Sequence, residues 1–162
     1  MDFSLPMQSL NYFSDIITLL EKNKIPYQLK EHLPTPTSEE SAKARGEPLK
    51  IGAKALILKD DTHFLLVVIP ADRKLDTKKL KKILNTKNIR FVTIKELFEL
   101  TCLVPGAVPP FGNLFNLPML VDQKLWEEEY MAFNAGSREK SIKMKTRDYQ
   151  NIVHPKTDDF ST

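Results

Sequence analysis

Residues 51–70 read IGAKALILKDDTHFLLVVIP and contain two apolar runs. Residues 51–58 and 64–69 are almost entirely apolar, and the polar stretch 59–63 separates them. Continuous apolar character is typical of strands that are buried on both faces, whereas half-exposed strands alternate apolar with polar residues. The sequence therefore predicts a hairpin of two central strands, which Pro70 ends.

Helix-start signals lie on both sides of this hairpin. Apolar residues at helical spacing predict an amphipathic helix over residues 9–22. Thr37 and Thr93 are each followed three residues later by a glutamate, which is the spacing of a capping box. Asp76 and Thr146 are predicted to cap two further helices, because their side-chain oxygens can accept from the first turn.

Short strands are predicted between these helices, at residues 27–31, 91–92, 119–121, 130–133 and 142–145. The Gly-rich fingerprint of a regular βαβ nucleotide-binding fold is absent. A chain of 162 residues is long enough to bury one core of ordinary size. We therefore expect a single α/β domain whose mixed, largely antiparallel sheet is flanked by helices.

Composition argues against several classes of protein. No run approaches the roughly 18 apolar residues of a membrane span, and the first residues lack the pattern of a secretion signal. We therefore expect a cytoplasmic protein without membrane contact. The single cysteine, Cys102, cannot form an intramolecular disulfide and is expected to pack as a small buried hydrophobe. The three histidines have no metal-ligand spacing, so no metal site is predicted.

Basic residues are concentrated in one part of the chain. Residues 73–95 contain nine lysines and arginines against the single acid Asp76. The predicted helix in this region displays its lysines away from the buried side. Such a surface either binds a polyanion such as tRNA, because neutralised phosphates release counterions, or is simply a solvated helix face. The residues assigned to tRNA binding are Lys74, Lys78, Lys79, Lys81 and Lys82.

Residues 103–118 read LVPGAVPPFGNLFNLP and are predicted to form a preformed loop. Proline removes backbone donors and glycine allows close backbone approaches, so neither a helix nor a central strand is expected here. The loop is either a stiff surface connection or a rigid frame whose backbone groups face a ligand.

Lys54 is the one charged residue in the first apolar run of the hairpin. An ammonium group among apolar residues must pair, bind a ligand or reach water along its own stem, because burying it alone costs several kcal/mol. Lys54 is therefore a candidate site residue.

Four motifs together resemble the YbaK family of aminoacyl-tRNA deacylases. They are TSEESAKARG at residues 37–46, GAKAL at 52–56, GAVPPFG at 106–112 and FNAGSR at 133–138. The family is similar to the editing domain inserted in bacterial prolyl-tRNA synthetases. The resemblance implies a curved, barrel-like sheet, with residues 25–162 as the editing domain and residues 1–24 as an N-terminal helix of the same domain.

The resemblance also implies a site and a reaction. Lys54 matches the family's strand lysine, and Gly106 and Pro110 match its Gly-x-x-x-Pro loop, so these three are the expected catalytic residues. The lysine would anchor the aminoacyl-adenosine end, and the loop backbone would orient the ester and a water. No cofactor or metal is implied. The expected substrate-binding residues are Thr35, Thr37, Ala107, Val108, Pro109, Phe111, Gly112, Asn134, Gly136, Ser137 and Arg138.

The implied activity is hydrolysis, in trans, of the ester bond of a mischarged tRNA. The protein would hold its tRNA directly or through an aminoacyl-tRNA synthetase. Alanine, cysteine, serine and threonine esters all remain open as substrates, because some relatives that act on alanyl esters carry Asn where this chain has Ala55. The alternative is a non-catalytic member of the fold that binds tRNA or a synthetase as an adaptor or regulator.

Overall fold

The computed structural model of the chain describes residues 11–34 and 37–162. Its helices are α1 (Tyr12–Lys22), α2 (Ser38–Arg45), α3 (Thr77–Leu84), α4 (Ile94–Thr101) and α5 (Thr146–Val153). Its strands are β1 (Tyr27–Glu31), β2 (Ala53–Lys59), β3 (Phe64–Pro70), β4 (Arg90–Phe91), β5 (Met119–Asp122), β6 (Tyr130–Asn134), β7 (Lys140–Lys145) and β8 (Lys156–Asp158). Single 3-10 turns occur at Leu49–Ile51, Gly112–Phe115 and Gln123–Glu127.

The predicted central hairpin is confirmed. Strands β2 and β3 pair antiparallel from Ala53 opposite Pro70 to Lys59 opposite Phe64. They lie within a five-stranded sheet of order β4-β2-β3-β5-β8, in which β3 and β5 are parallel, as are β5 and β8. The apolar runs are continuous because both faces of this sheet are covered, by two separate clusters of buried side chains.

A second, antiparallel sheet of order β1-β7-β6 lies beside the first. An isolated bridge between Gly52 and Ala132 joins the two sheets. The α/β class and the mixed pairing are as predicted. The described strands form no closed barrel, so the barrel-like curvature remains unconfirmed.

The larger hydrophobic core fills the space on one face of the five-stranded sheet. It combines residues of both sheets with Tyr12, Ile16 and Leu20 of α1. Tyr12 also donates from its hydroxyl to the carbonyl of Thr101 at 2.6 Å, which ties α1 to the end of α4. The predicted start of this first helix, at residue 9, lies outside the described residues.

Three of the four predicted helix caps are present. The side chains of Thr37, Asp76 and Thr93 each accept from the backbone N–H three residues later, and Thr93 completes a reciprocal capping box with Glu96. The predicted cap at Thr146 is wrong. Its hydroxyl oxygen is buried without a partner among the described residues, and the cap position falls on Lys145.

Two further expectations need correction. The Pro/Gly loop contains a short helical turn, because Gly112–Phe115 forms one turn of 3-10 helix. Cys102 is exposed rather than buried, since it ends α4 in the left-handed conformation with φ 61°. No helix among the described residues is long and apolar enough to cross a membrane.

One buried tyrosine holds the middle of the Pro/Gly loop in the core. The hydroxyl of Tyr149 donates to the carbonyl of Pro110 at 2.6 Å, and its ring packs edge-on against Phe111 with centroids 5.5 Å apart. Burial raises the pKa of Tyr149 above its ordinary value, so the phenol stays a protonated donor.

Removal of this hydroxyl tests how firmly the loop is held. In Tyr149→Phe the buried carbonyl of Pro110 loses its donor, and we expect the free energy of unfolding in urea to fall by about 1–3 kcal/mol. The control is Tyr130→Phe, at a tyrosine that is 37% exposed, where we expect a change within about 0.5 kcal/mol. Equal stability of the two variants would contradict this account of the loop.

Candidate functional site

A cavity of about 200 Å³ lies where α2, the start of β2, the Pro/Gly loop and the end of β6 meet. Its walls carry small and hydroxylated side chains together with two cationic ones. The lining residues include Thr37, Ser38, Ser41, Ala42, Arg45, Gly52, Ala53, Lys54, Ala55, Ala71, Gly106, Val108 and Asn134. None of these lining residues carries a carboxylate, an imidazole or a thiol.

Lys54 lies in a part of β2 that has one uncovered edge. Strand β4 pairs only with Leu58 and Lys59, and the bridge from Gly52 to β6 lies just before β2 begins, so residues 54–56 have no described neighbouring strand on that side. Lys54 is half-buried and lines the cavity. Its amino group has no hydrogen bond or ion pair to any residue within 11–34 and 37–162. A lysine in this position is available to a ligand.

The same open edge directs backbone groups into the cavity. The carbonyl of Ile57 accepts from Val92 N–H on the β4 side, and the carbonyl of Gly52 accepts from Ala71 N–H on the β3 side. Backbone groups alternate along a strand, so the N–H and C=O of Ala55 point to the open edge, as those of Ile57 do. Pro70 fits this pattern, because it stands opposite Ala53 at a pair that forms no ladder hydrogen bonds.

Gly52 forms a tightly packed part of the cavity wall. A Cβ atom at this position would lie 2.9 Å from Cβ of Ala71 and 3.2 Å from the carbonyl oxygen of Leu49. The guanidinium of Arg45 would lie 3.8 Å away. Glycine is therefore required here by close approach of neighbouring groups rather than by its own backbone angles.

The β6–β7 hairpin holds two successive carbonyls of the Pro/Gly loop. Asn134 Nδ2 donates to the carbonyl of Gly106 at 2.6 Å, and Arg138 Nε donates to the carbonyl of Pro105 at 2.7 Å. Gly106 has φ 88°, a left-handed conformation that favours glycine. The loop therefore enters the cavity in a conformation that neighbouring side chains hold in place.

Arg45 is a cation inside the cavity wall, with 6% of its surface exposed. Its Nη2 donates to Oδ1 of Asn134 and its Nε to the hydroxyl of Ser141, each at 2.9 Å. Burial lowers the pKa of Arg45 to about 10, and the nearby Glu47 carboxylate partly opposes this shift. Glu47 itself is held by Lys143 at 3.0 Å.

The structure brings together only some of the predicted site residues. Lys54, Gly106, Thr37, Val108 and Asn134 line the cavity. Thr35 lies outside the described residues. The remaining predicted residues of the loop and the hairpin do not line it, namely Ala107, Pro109, Pro110, Phe111, Gly112, Gly136, Ser137 and Arg138.

Several of these residues are buried behind the cavity instead. Ala107, Pro109, Pro110, Phe111 and Gly112 are buried. A Cβ at Gly136 would lie 3.1 Å from Cβ of Tyr12, so this glycine allows the hairpin to pack against α1. These contacts hold the loop and the hairpin close behind the cavity.

The predicted basic helix begins close to the cavity. Ala71 lines the cavity, and Lys74 follows it just before α3 begins. Lys74, Lys78 and Lys82 are exposed, whereas Lys81 is half-buried and Lys79 lies 3.4 Å from the Asp159 carboxylate. Three of the five assigned lysines are therefore exposed without an ion pair to any described residue.

Sequence reasoning missed Arg45, Ser38 and Ser41 as members of the cavity. All three lie in the motif at residues 37–46. Their sequence shows a short capped helix but not which of its sides faces the sheet. One signal for Arg45 was available in the sequence: it directly precedes Gly46, which ends α2 with φ 71°.

A known family matches most of this chain. The sequence model described as the aminoacyl-tRNA editing domain matches residues 32–152, and the chain belongs to this family. It is 31% identical over 150 residues to the multifunctional Ser/Thr-tRNA deacylase ProXp-y of Escherichia coli K12, with 90% of each chain covered. It is 29% identical to the prolyl-tRNA editing protein ProX of Acetoanaerobium sticklandii, covering 85% of this chain and 88% of that one.

The fold of the chain also matches that of a solved structure. A crystal structure described as a candidate trans-editing enzyme for prolyl-tRNA synthetase superposes with a TM-score of 0.80 at 20% identity, covering 94% of this chain and 98% of that one. The resemblance to this family that the four motifs indicated is therefore confirmed.

The tight contact at Gly52 gives a test of the cavity wall. In Gly52→Ala the added methyl group meets Ala71, and we expect the free energy of unfolding to fall by about 1–3 kcal/mol in a urea titration. The control repeats the change in an Ala71→Gly background, where one of the two close contacts is gone. We expect a smaller loss there, and an undiminished loss would rule out contact with Ala71 as the cause.

Proposed function

We propose that this protein is a trans-acting aminoacyl-tRNA deacylase whose ester substrate enters the cavity beside Lys54. Membership of the aminoacyl-tRNA editing domain family confirms the predicted deacylase function and hydrolase class. The single observation that carries the assignment of the site is Lys54, a half-buried lysine that lines the cavity and has no partner among the described residues. We infer that the deacylation takes place in the cytoplasm, where charged tRNA is used.

The reaction requires a water, an oriented ester and a place for one proton. Water oxygen forms a bond to the carbonyl carbon, the bond from that carbon to the ribose oxygen breaks, and the proton from water passes to the ribose oxygen. No described lining residue offers a carboxylate or imidazole as a base, so a neighbouring hydroxyl of the terminal ribose assists the proton transfer. The protein contributes position and backbone dipoles.

Three features of the cavity have separate roles in this hydrolysis. Lys54 Nζ holds the aminoacyl-adenosine end by donating to its oxygens. The open-edge N–H and C=O of Ala55 lie next to Lys54 and align the acyl group along β2. Gly106 and Val108 bring the loop backbone to the opposite side of the ester.

We infer that the amino acid removed is serine or threonine. Ala42, Ala53 and Ala55 keep the cavity small, and Ser38 and Thr37 add hydroxyl groups to its wall. A site with hydroxyl partners favours a substrate hydroxyl over a methyl or thiol group of similar size. The Escherichia coli relative is named as a Ser/Thr-tRNA deacylase, which supports the same choice.

The tRNA itself lies across the basic surface formed by Lys74, Lys78 and Lys82. These exposed lysines follow directly on the cavity wall at Ala71, so an acceptor end inserted into the cavity brings its stem phosphates toward α3. Lys79, which is exposed but paired with Asp159, and the half-buried Lys81 add to the positive potential of this surface. A synthetase that holds the same tRNA is a further partner that this arrangement admits.

Replacement of Lys54 tests the enzymatic assignment. Lys54→Met keeps the aliphatic stem and removes the donor, and we expect kcat on seryl- and threonyl-tRNA to fall by about 10²–10³-fold. The same assay is run with alanyl- and cysteinyl-tRNA, on which we expect the wild-type kcat to be lower than on seryl- and threonyl-tRNA.

The matched control is Lys59→Met, on the same strand, where the amino group stands 5.1 Å from the ring centroid of Phe64. It should keep wild-type rates. If the wild-type protein cleaves none of the four esters but binds tRNA or a synthetase tightly, the adaptor function replaces the enzymatic one.

The salt dependence of tRNA binding tests the basic surface. Each phosphate contact contributes about 0.7–0.9 to the slope of log Kd against log salt concentration. Lys78→Ala with Lys82→Ala should therefore lower that slope by about 1–2, measured by filter binding at several salt concentrations. Lys22→Ala with Lys24→Ala, at the exposed end of α1, should leave the slope unchanged. A flat salt dependence in the wild-type protein would remove α3 from the binding surface.

A further inference from the structure

The amide of Asn134 makes three hydrogen bonds within the protein. Its Oδ1 accepts from Arg45 at 2.9 Å and from the hydroxyl of Ser141 at 3.1 Å, and its Nδ2 donates to the carbonyl of Gly106 at 2.6 Å. A flipped amide would place its NH₂ group against the Arg45 donor and its oxygen against the Gly106 carbonyl oxygen. The orientation of this side chain is therefore fixed by its neighbours.

Arg45 fixes that orientation from inside the wall. Its planar fork uses Nη2 on Asn134 and Nε on Ser141, two acceptors on neighbouring strands, β6 and β7. A lysine has a single charged nitrogen and cannot match this two-point geometry. The backbone of Arg45 is held too, since its carbonyl accepts from the amino group of Lys30 on β1.

The hydrogen bonds that lead from Arg45 through Asn134 end at Gly106, in the loop beside Lys54. Gly106 has φ 88°, and a glycine in that region can rotate its peptide groups at little steric cost. The hydrogen bond from Asn134 selects one orientation of the Gly106 carbonyl. The N–H side of the same peptide is held as well, because Ala107 N–H donates to the carbonyl of Val104 at 3.1 Å.

We propose that Arg45 is a positioning residue for the deacylation site, acting through Asn134 to hold the Gly106 peptide in the orientation that the ester requires. Arg45 need not touch the reacting atoms. The kinetic part of this proposal rests on the proposed function, whereas the effect on the loop does not.

The first experiment measures the loop without any substrate. Hydrogen exchange is followed by mass spectrometry in peptides that span residues 103–112, in wild type, Arg45→Met, Asn134→Ala and the control Lys43→Met. Lys43 is an exposed cation on the same helix. We expect exchange in this peptide to rise by about 10-fold or more in the first two variants and to stay unchanged in the control. Wild-type exchange in Arg45→Met overturns the proposal.

The second experiment measures kcat and KM on the ester that the wild type cleaves. We expect kcat of Arg45→Met to fall by about 10²-fold with KM changed by less than about 3-fold, as for a small misplacement of reacting groups. The double variant with Asn134→Ala should be no slower than the slower single variant, because both act on one peptide. Losses that multiply in the double variant, or a change confined to KM, overturn the positioning role.

Two further variants cover the case in which Arg45→Met does not fold. Arg45→Lys keeps the charge but loses the fork, and Ser141→Ala removes one of the two acceptors, so each should raise loop exchange by a smaller factor than Asn134→Ala. Wild-type exchange in both of them overturns the proposal. If the wild-type protein cleaves no ester, the proposed function fails while the exchange experiment still decides whether Arg45 holds the loop.

Discussion

The pairing of β2 with β3 is the constraint on which the cavity depends. Apolar side chains of both strands pack into the two clusters that cover the sheet, and this burial fixes their register. This register places Pro70 opposite Ala53 at a pair without ladder hydrogen bonds and turns the backbone of Ala55 away from β3. A slip of one residue would require an N–H that Pro70 lacks and would move Lys54 to the other face. The register of the central hairpin thus determines where Lys54 and the open edge lie.

The Pro/Gly loop combines local stiffness with external support. Prolines restrict its backbone, and three side chains from the β6–β7 hairpin and α5 donate to its carbonyls: Arg138 to Pro105, Asn134 to Gly106 and Tyr149 to Pro110. Ordering a flexible loop at each encounter would cost conformational entropy that a prearranged one avoids. Some residues of the four motifs therefore line the cavity, whereas others hold those lining residues in place.

Local signals in the sequence were sufficient for most elements and for the position of Lys54. The hairpin follows from apolar runs and a polar turn, and the helix starts at Thr37, Asp76 and Thr93 follow from side chains that bond within three residues of themselves. Thr146 has the same local pattern, yet its hydroxyl is buried by tertiary packing and forms no cap. The parallel strand β8 was not predicted, since its pairing with β5 depends on contacts far along the chain. Arg45 was missed for the same reason, because its partners Asn134 and Ser141 are about ninety residues away.

The exposed end of α4 gives the protein a natural position for a spectroscopic probe. Cys102 is the single cysteine of the chain, it is exposed, and it lies four residues before Gly106. A maleimide-linked fluorophore or spin label would therefore attach at one defined atom without prior removal of other thiols. Its mobility would report directly on the order of the adjoining loop, both in the free protein and after addition of tRNA.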